Sequence, residues 1–101
     1  MAQEPSSFRE FYPAYLAEHR DPTCRRLHFA GSTLVLLALG TAGVRRDWRW
    51  LLAAPLAGYG FAWVGHFFFE KNRPATFRRP FYSLAGDWVM FKDILSGRIR
   101  L

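Results

Sequence analysis

The sequence predicts an all-α fold, an integral membrane helical hairpin of two hydrophobic spans flanked by N-terminal and C-terminal amphipathic helices. Three observations predict it. Leu27–Val44 carries no charge and has only His28, Ser32, Thr33 and Thr41 as polar exceptions. Trp48–Phe69 is uncharged except for Arg49 near its start. The cations stand outside the apolar cores: Arg20, Arg25 and Arg26 before the first run, Arg45, Arg46 and Arg49 in the link, and Lys71, Arg73, Arg78 and Arg79 after the second. Basic side chains at the ends of apolar helices snorkel toward phosphate headgroups. A mean hydropathy of -0.07 averages this segregation away. The alternative is a soluble helical protein with an unusually apolar helix pair, but two such runs in 101 residues leave little polar surface to cover both.

The elements follow in order within one membrane domain, residues 1–101. Residues 1–7 read as a polar, frayed lead. Over 8–20 the pattern Phe8, Phe11, Tyr12, Tyr15, Leu16, His19 repeats at three and four residues, as one face of an amphipathic helix does. Ser7 with Glu10 forms a capping box, and Pro13 implies a kink or a later start. Asp21-Pro22 makes a tight corner, with Asp21 able to cap the next helix and Pro22 in its first turn. The first hydrophobic helix is expected over 22–44, with an apolar part at the short end of the about 20 residues a span needs. Arg45–Arg49 turns the chain back. The second hydrophobic helix is expected over 48–70, with Trp48 and Trp50 at one end and Phe67, Phe68 and Phe69 at the other, as interfacial aromatic belts. Pro74 ends it, and 81–96 reads as an amphipathic or partly inserted helix.

Two spans put both termini on one side. Residues 70–101 carry seven basic against three acidic groups and Arg45–Arg49 three against one, so the positive-inside rule favours cytoplasmic termini, in the inner or cytoplasmic membrane of a bacterium. The formal charge of +6 could also suggest nucleic acid. The cations flank apolar runs instead of lining one polar face, and no zinc-finger, RNA-binding or zipper pattern is present, so no nucleic acid is expected. The lone Cys24 excludes an intramolecular disulfide. The N-terminal residues lack the basic and apolar regions of a cleaved leader.

Chemistry concentrates in three histidines and a few carboxylates. His66 and Glu70, four apart, point the same way on a helix and suit one metal ion or a shared hydrogen bond. An ion pair of Glu70 with Lys71 or Arg73 is the structural alternative. In a hairpin, His28 near the start of the first span and His66 near the end of the second lie at similar depth, and the corner can fold His19 back over them. Three imidazoles with one carboxylate suit ferrous iron or zinc. Asp87 is a candidate to orient a ligating imidazole, or else a helix-capping or solvated residue. Phosphate loops, dinucleotide fingerprints and nucleophile elbows are missing, which removes the ordinary hydrolase and dinucleotide readings.

The segments Tyr15-Leu16-Ala17-Glu18-His19, Arg26-Leu27-His28-Phe29-Ala30-Gly31 and Trp63-Val64-Gly65-His66-Phe67-Phe68-Phe69-Glu70-Lys71-Asn72-Arg73-Pro74-Ala75 resemble the domain-of-unknown-function-962 family, over about residues 8–98. That family includes the yeast endoplasmic-reticulum 2-hydroxy fatty acid dioxygenase. The resemblance implies an iron(II)-dependent dioxygenase, with Fe(2+) held by His19, His28 and His66, removing one carbon from 2-hydroxy long-chain fatty acids with molecular oxygen. It implies a lipid substrate and places Glu70 next to the last histidine. Asp87 as a further catalytic candidate, and Arg73 with Asn72 at the substrate head, are assigned from their positions in the sequence and not from the resemblance. The family's fungal member is longer, and this chain has Arg20, Asp21 and Thr23 where that protein carries further histidine or asparagine. A homo-oligomer that completes the site is one expectation for the shorter chain. Another metal-dependent lipid-modifying enzyme, or a non-enzymatic membrane protein with structural histidines, is the alternative.

Overall fold

The computed structural model describes residues 7–100, and the polar lead before Ser7 lies outside the described residues. Its elements are α1 (Phe8–Ala17), α2 (Pro22–Arg45), α3 (Trp50–Val64) running on into a π-helical turn (Gly65–Glu70), a short 3-10 turn (Ala75–Phe77) and α4 (Pro80–Leu95). No strand occurs among the described residues.

Local chemistry fixes each boundary. The Ser7 hydroxyl accepts the Glu10 amide at the start of α1, and Pro13 is carried inside the helix. Asp21 caps α2, its Oδ1 accepting from the Thr23 and Cys24 amides at 2.8 and 3.1 Å with Pro22 at the first helical position. Arg46, at φ 53°, ends α2 in the left-handed conformation. Asp47 then holds Arg49 through a two-pronged ion pair that stiffens the link. Lys71, at φ 58°, ends the π turn in the same way.

α2 and α3 form the hairpin, and small residues line its seam. A Cβ built on Gly31 would stand 3.0 Å from the Phe61 Cβ and 3.2 Å from the Ala57 carbonyl oxygen. One on Gly65 would stand 2.9 Å from the Cys24 sulfur and 3.2 Å from its Cα. Helices approach this closely where small residues free the backbone. At the open end of the hairpin, α1 and α4 pack around Phe11, Tyr15, Ala75, Met90 and Ile94. Tyr12 ties α1 to α4 by a 2.7 Å hydrogen bond to Asp93, and Gly86 admits the Tyr15 ring.

Large apolar side chains of the hairpin face outward while the three imidazoles are covered. Leu37, Leu56, Phe68 and Val44 are 61%, 75%, 70% and 87% exposed, while His19, His28 and His66 are 1%, 5% and 2% exposed. Pro22–Arg45 and Trp50–Glu70 are both long and apolar enough to cross a membrane. At 1.5 Å per residue, α2 alone is about 36 Å long. Only 22% of each apolar window is covered by the rest of the chain, whereas the core helix of a soluble domain is mostly buried.

Gly65→Val is expected to wedge α2 from α3, cost about 1–3 kcal/mol as overpacking does, and lower the thermal midpoint of the detergent-purified protein. At Gly40 an added carbon meets nothing within 4 Å, so Gly40→Ala is expected to leave the midpoint unchanged or raise it. Equal midpoints for the two variants would refute the seam.

Candidate metal centre

Three histidines from three separate stretches meet at the open end of the hairpin. His19 lies in the corner between α1 and α2, stacked on Tyr15 with ring centroids 4.1 Å apart. His28 stands in the second turn of α2, and His66 is the second residue of the π turn. Their ring centroids lie 4.4, 4.5 and 4.9 Å apart, and each pair of rings is nearly perpendicular, at 80–88°. One ring nitrogen from each lies within 4.8 Å of the other two.

The outer nitrogens fix the tautomers. His19 Nδ1 is 2.6 Å from the Tyr15 carbonyl oxygen and His28 Nδ1 is 2.9 Å from the Cys24 carbonyl oxygen. A carbonyl only accepts, so both Nδ1 atoms carry the proton. His66 Nδ1 lies 2.7 Å from Asn72 Oδ1, and the orientation of that amide is fixed because Asn72 Nδ2 donates to the Glu18 carbonyl at 3.1 Å. All three rings therefore hold Nδ1–H outward and leave Nε2 as the unprotonated acceptor. His19 Nε2 and His28 Nε2 are 3.1 Å apart with no proton of their own to share.

Two facing lone pairs at that distance repel unless a positive charge stands between them. A proton is a poor tenant, because burial, and then the neighbouring His28, drive the His19 imidazole down to about 2 against the raising effect of the Tyr15 carbonyl. A divalent ion fits. Nitrogen atoms 3.1 Å apart have the spacing of neighbouring ligands on one ion with bonds of about 2.0–2.1 Å, and Nδ1 bound to a carbonyl or amide oxygen is the usual outer contact of a ligating histidine.

A model of the family described as 2-hydroxy-palmitic acid dioxygenase Mpo1-like matches residues 5–99. The chain belongs to this Mpo1-like family. No curated protein and no solved structure matches it. The membership agrees with the resemblance carried by the histidine-bearing segments.

The carboxylates occupy other places than the sequence suggests. Glu70, expected beside His66 on one helix face, accepts through Oε1 from the Asp21 amide and so pins the corner that carries His19. Asp87 accepts the hydroxyl of Tyr15, the residue whose ring stacks on His19. Burial pushes its carboxyl up to about 6, against the lowering effect of that hydroxyl. Asn72, expected at the substrate head, is engaged at both ends of its amide as the clamp on His66. Arg73 is exposed, its guanidinium 5.7 Å from the Phe77 ring centroid. Arg78, paired with Glu18 at 2.8 Å, secures the residue whose carbonyl holds Asn72. Among the described residues the metal-capable cluster thus contains nitrogen donors alone.

Three supporting groups escape a reading of the sequence. Tyr15 and Cys24 each stand four residues before a histidine, the spacing at which a helical carbonyl reaches an imidazole, but that spacing is commonplace. Asn72 follows His66 by six residues, and its reach depends on the π turn and on left-handed Lys71.

Asn72→Ala is expected to weaken metal binding about 10–100-fold, as loss of an outer contact does, with helicity retained. Asn72→Asp keeps an acceptor oxygen and is expected to recover much of the loss. Chelator competition measures both, and wild-type affinity in the alanine variant would show that the clamp is idle.

Proposed function

We propose that the chain is an iron(II)-dependent dioxygenase that removes one carbon from 2-hydroxy long-chain fatty acids, with His19, His28 and His66 as the iron ligands. The observation that carries this reading is the convergence of three buried imidazoles, with one ring nitrogen of each within 4.8 Å of the others, in a member of a dioxygenase family. Imidazole donors suit iron, and no thiolate stands in the cluster to favour softer metals.

The overall reaction balances without a reducing co-substrate. The carboxyl carbon leaves as carbon dioxide, the 2-carbon becomes the new carboxyl, and the four electrons released reduce one dioxygen, giving one water. Ferrous iron, held by His19, His28 and His66, would supply the redox chemistry with oxygen that closed-shell side chains lack. The protein's own tasks are to hold the donors neutral, exclude water and move a proton. Burial does the first, while the acceptors at Tyr15, Cys24 and Asn72 hold each Nδ1–H and so orient the rings. The burial of all three rings does the second. For the third we assign Asp87, which lines one cavity with His28, as the group that takes up the 2-hydroxyl proton. A carboxyl raised to about 6 exchanges protons readily near neutral pH. Glu70 is assigned to the corner instead of the chemistry.

We read the two long apolar helices as transmembrane spans, supported by their length and by their outward leucines and phenylalanines. The triad and the basic C-terminal segment then share the cytoplasmic side of the membrane, the inner or cytoplasmic one in a bacterium. The reading requires no second copy of the chain for the three ligands.

Anaerobic metal analysis tests the proposal. The protein reconstituted with ferrous iron is expected to hold about one ion per chain, and His66→Ala to lose it while still inserting in the membrane. Folded protein that binds no iron would sink the reading. Asp87→Asn is expected to keep the metal but lower turnover of a 2-hydroxy acid by about 10²–10⁴-fold, the usual contribution of a placed acid–base group. Oxygen uptake and carbon dioxide release measure it, and full activity in that variant would remove Asp87 from the chemistry.

A further inference from the structure

A cavity of about 330 Å³ opens between α2, α3 and α4, within the range of sites that enclose small molecules. Along α2 its wall is His28, Ser32, Val35 and Leu39, spaced four, three and four residues apart on one helix face. The two helices run antiparallel with Gly31 against Phe61 and Val35 against Gly58, so Ala54 and Pro55 face the Leu39 end. Polarity is graded along this length. His28 and Asp87 stand at one end, whereas Leu39, Ala54 and Pro55 wall the other. A void that is polar beside the histidine triad and apolar away from it matches a molecule with a polar head and a hydrocarbon tail.

Its length is informative. His28 to Leu39 is eleven residues of helix, or about 16 Å at 1.5 Å per residue. With carbon–carbon bonds of about 1.5 Å at near-tetrahedral angles, an extended alkyl chain advances roughly 1.25 Å per bond. The cavity therefore matches a tail of about 13 carbons beyond the head.

We infer that this cavity receives the hydrocarbon tail of the 2-hydroxy acid, and that Leu39 and Ala54 at its far end set the chain length accepted. The inference rests on the dioxygenase reading for the identity of the head, but the tail site stands on the cavity and its polarity. The occupant is one free acyl chain. A phospholipid would need to bring a bulky headgroup to a triad whose rings are buried.

Two measurements on the full chain in phosphatidylcholine vesicles test it. The first uses 2-hydroxyhexadecanoic acid with a photoactivatable diazirine near the tail end, followed by peptide mapping. Labelling at the cavity-lining Val35, Leu39, Ala54 or Gly58, assigned to single residues by fragment spectra and displaced by unlabelled acid, is expected. Labelling confined to outward Leu37 and Leu56, or no displaceable labelling in the presence of bulk phospholipid, would overturn the assignment. The second compares turnover of long and short 2-hydroxy acids by Ala54→Leu and Leu39→Trp. The ratio of kcat/KM for the long acid to that for the short is expected to fall about tenfold, the scale at which a pocket rejects added methylenes. An unchanged ratio in both variants, with activity present, would overturn the length-setting role and leave the dioxygenase reading intact. If neither acid is turned over yet the probe labels the cavity, the tail site is upheld and the dioxygenase reading falls.

Discussion

The distance between the two long helices at their polar end is set where Gly65 lies on Cys24. A single carbon added to Gly65 would sit 2.9 Å from the Cys24 sulfur, so the backbones are as close there as side chains permit. His28 is one turn beyond Cys24 and His66 is the residue after Gly65, and the close approach leaves their rings 4.9 Å apart. The corner at Asp21 then brings His19 between them. Glu70, reaching from the end of the π turn to the Asp21 amide, closes this loop of constraints. Each histidine is held by backbone geometry first and by its hydrogen bond second.

The electrostatics of the cluster follow from that geometry. Burying a polar group without a partner costs free energy comparable to a lost hydrogen bond. The structure meets the need on the outer side of every ring and leaves the His19 and His28 Nε2 atoms facing each other 3.1 Å apart. Three neutral imidazoles whose lone pairs face one another store repulsion that a cation relieves. The π turn contributes because its wider winding delivers the chain to Lys71 and Asn72 with the His66 carbonyl accepting from both amides. Such turns inside helices are frequent at functional sites. Here the turn places His66 and the Asn72 that clamps it on one short stretch of chain.

The hairpin was legible because two uncharged runs with basic ends have few other stable arrangements. The depth of His28 and His66 followed from antiparallel helices, and Asp21-Pro22 was enough to suggest that His19 folds back. What the sequence hid depends on register within a turn. His66 and Glu70 were read on a regular helix, but the π turn and the pull of the Asp21 amide carry Glu70 to the corner. Asn72 reads as a surface turn residue until its amide is seen between His66 and Glu18. Tyr15 belongs to an apolar stripe, and only the packing of α4 across α1 shows its hydroxyl meeting Asp87. The cavity was invisible for a similar reason, since it exists only where α4 leans over the seam between α2 and α3.

The depth of the triad ties these features to the proposed substrate. His28 lies six residues into α2, about 9 Å from the helix start, and His66 is four residues from the end of the second apolar helix. On the transmembrane reading this is the boundary between headgroups and hydrocarbon. A 2-hydroxy acid is an amphiphile whose carboxylate and hydroxyl stay near water while its tail stays in lipid, so it meets such a site already oriented. A site deeper in the spans would require the carboxylate to shed its hydration, and one on a soluble domain would require the tail to leave the membrane. On the transmembrane reading the outward leucines of the hairpin face lipid while the inward imidazoles keep a polar cluster at the boundary.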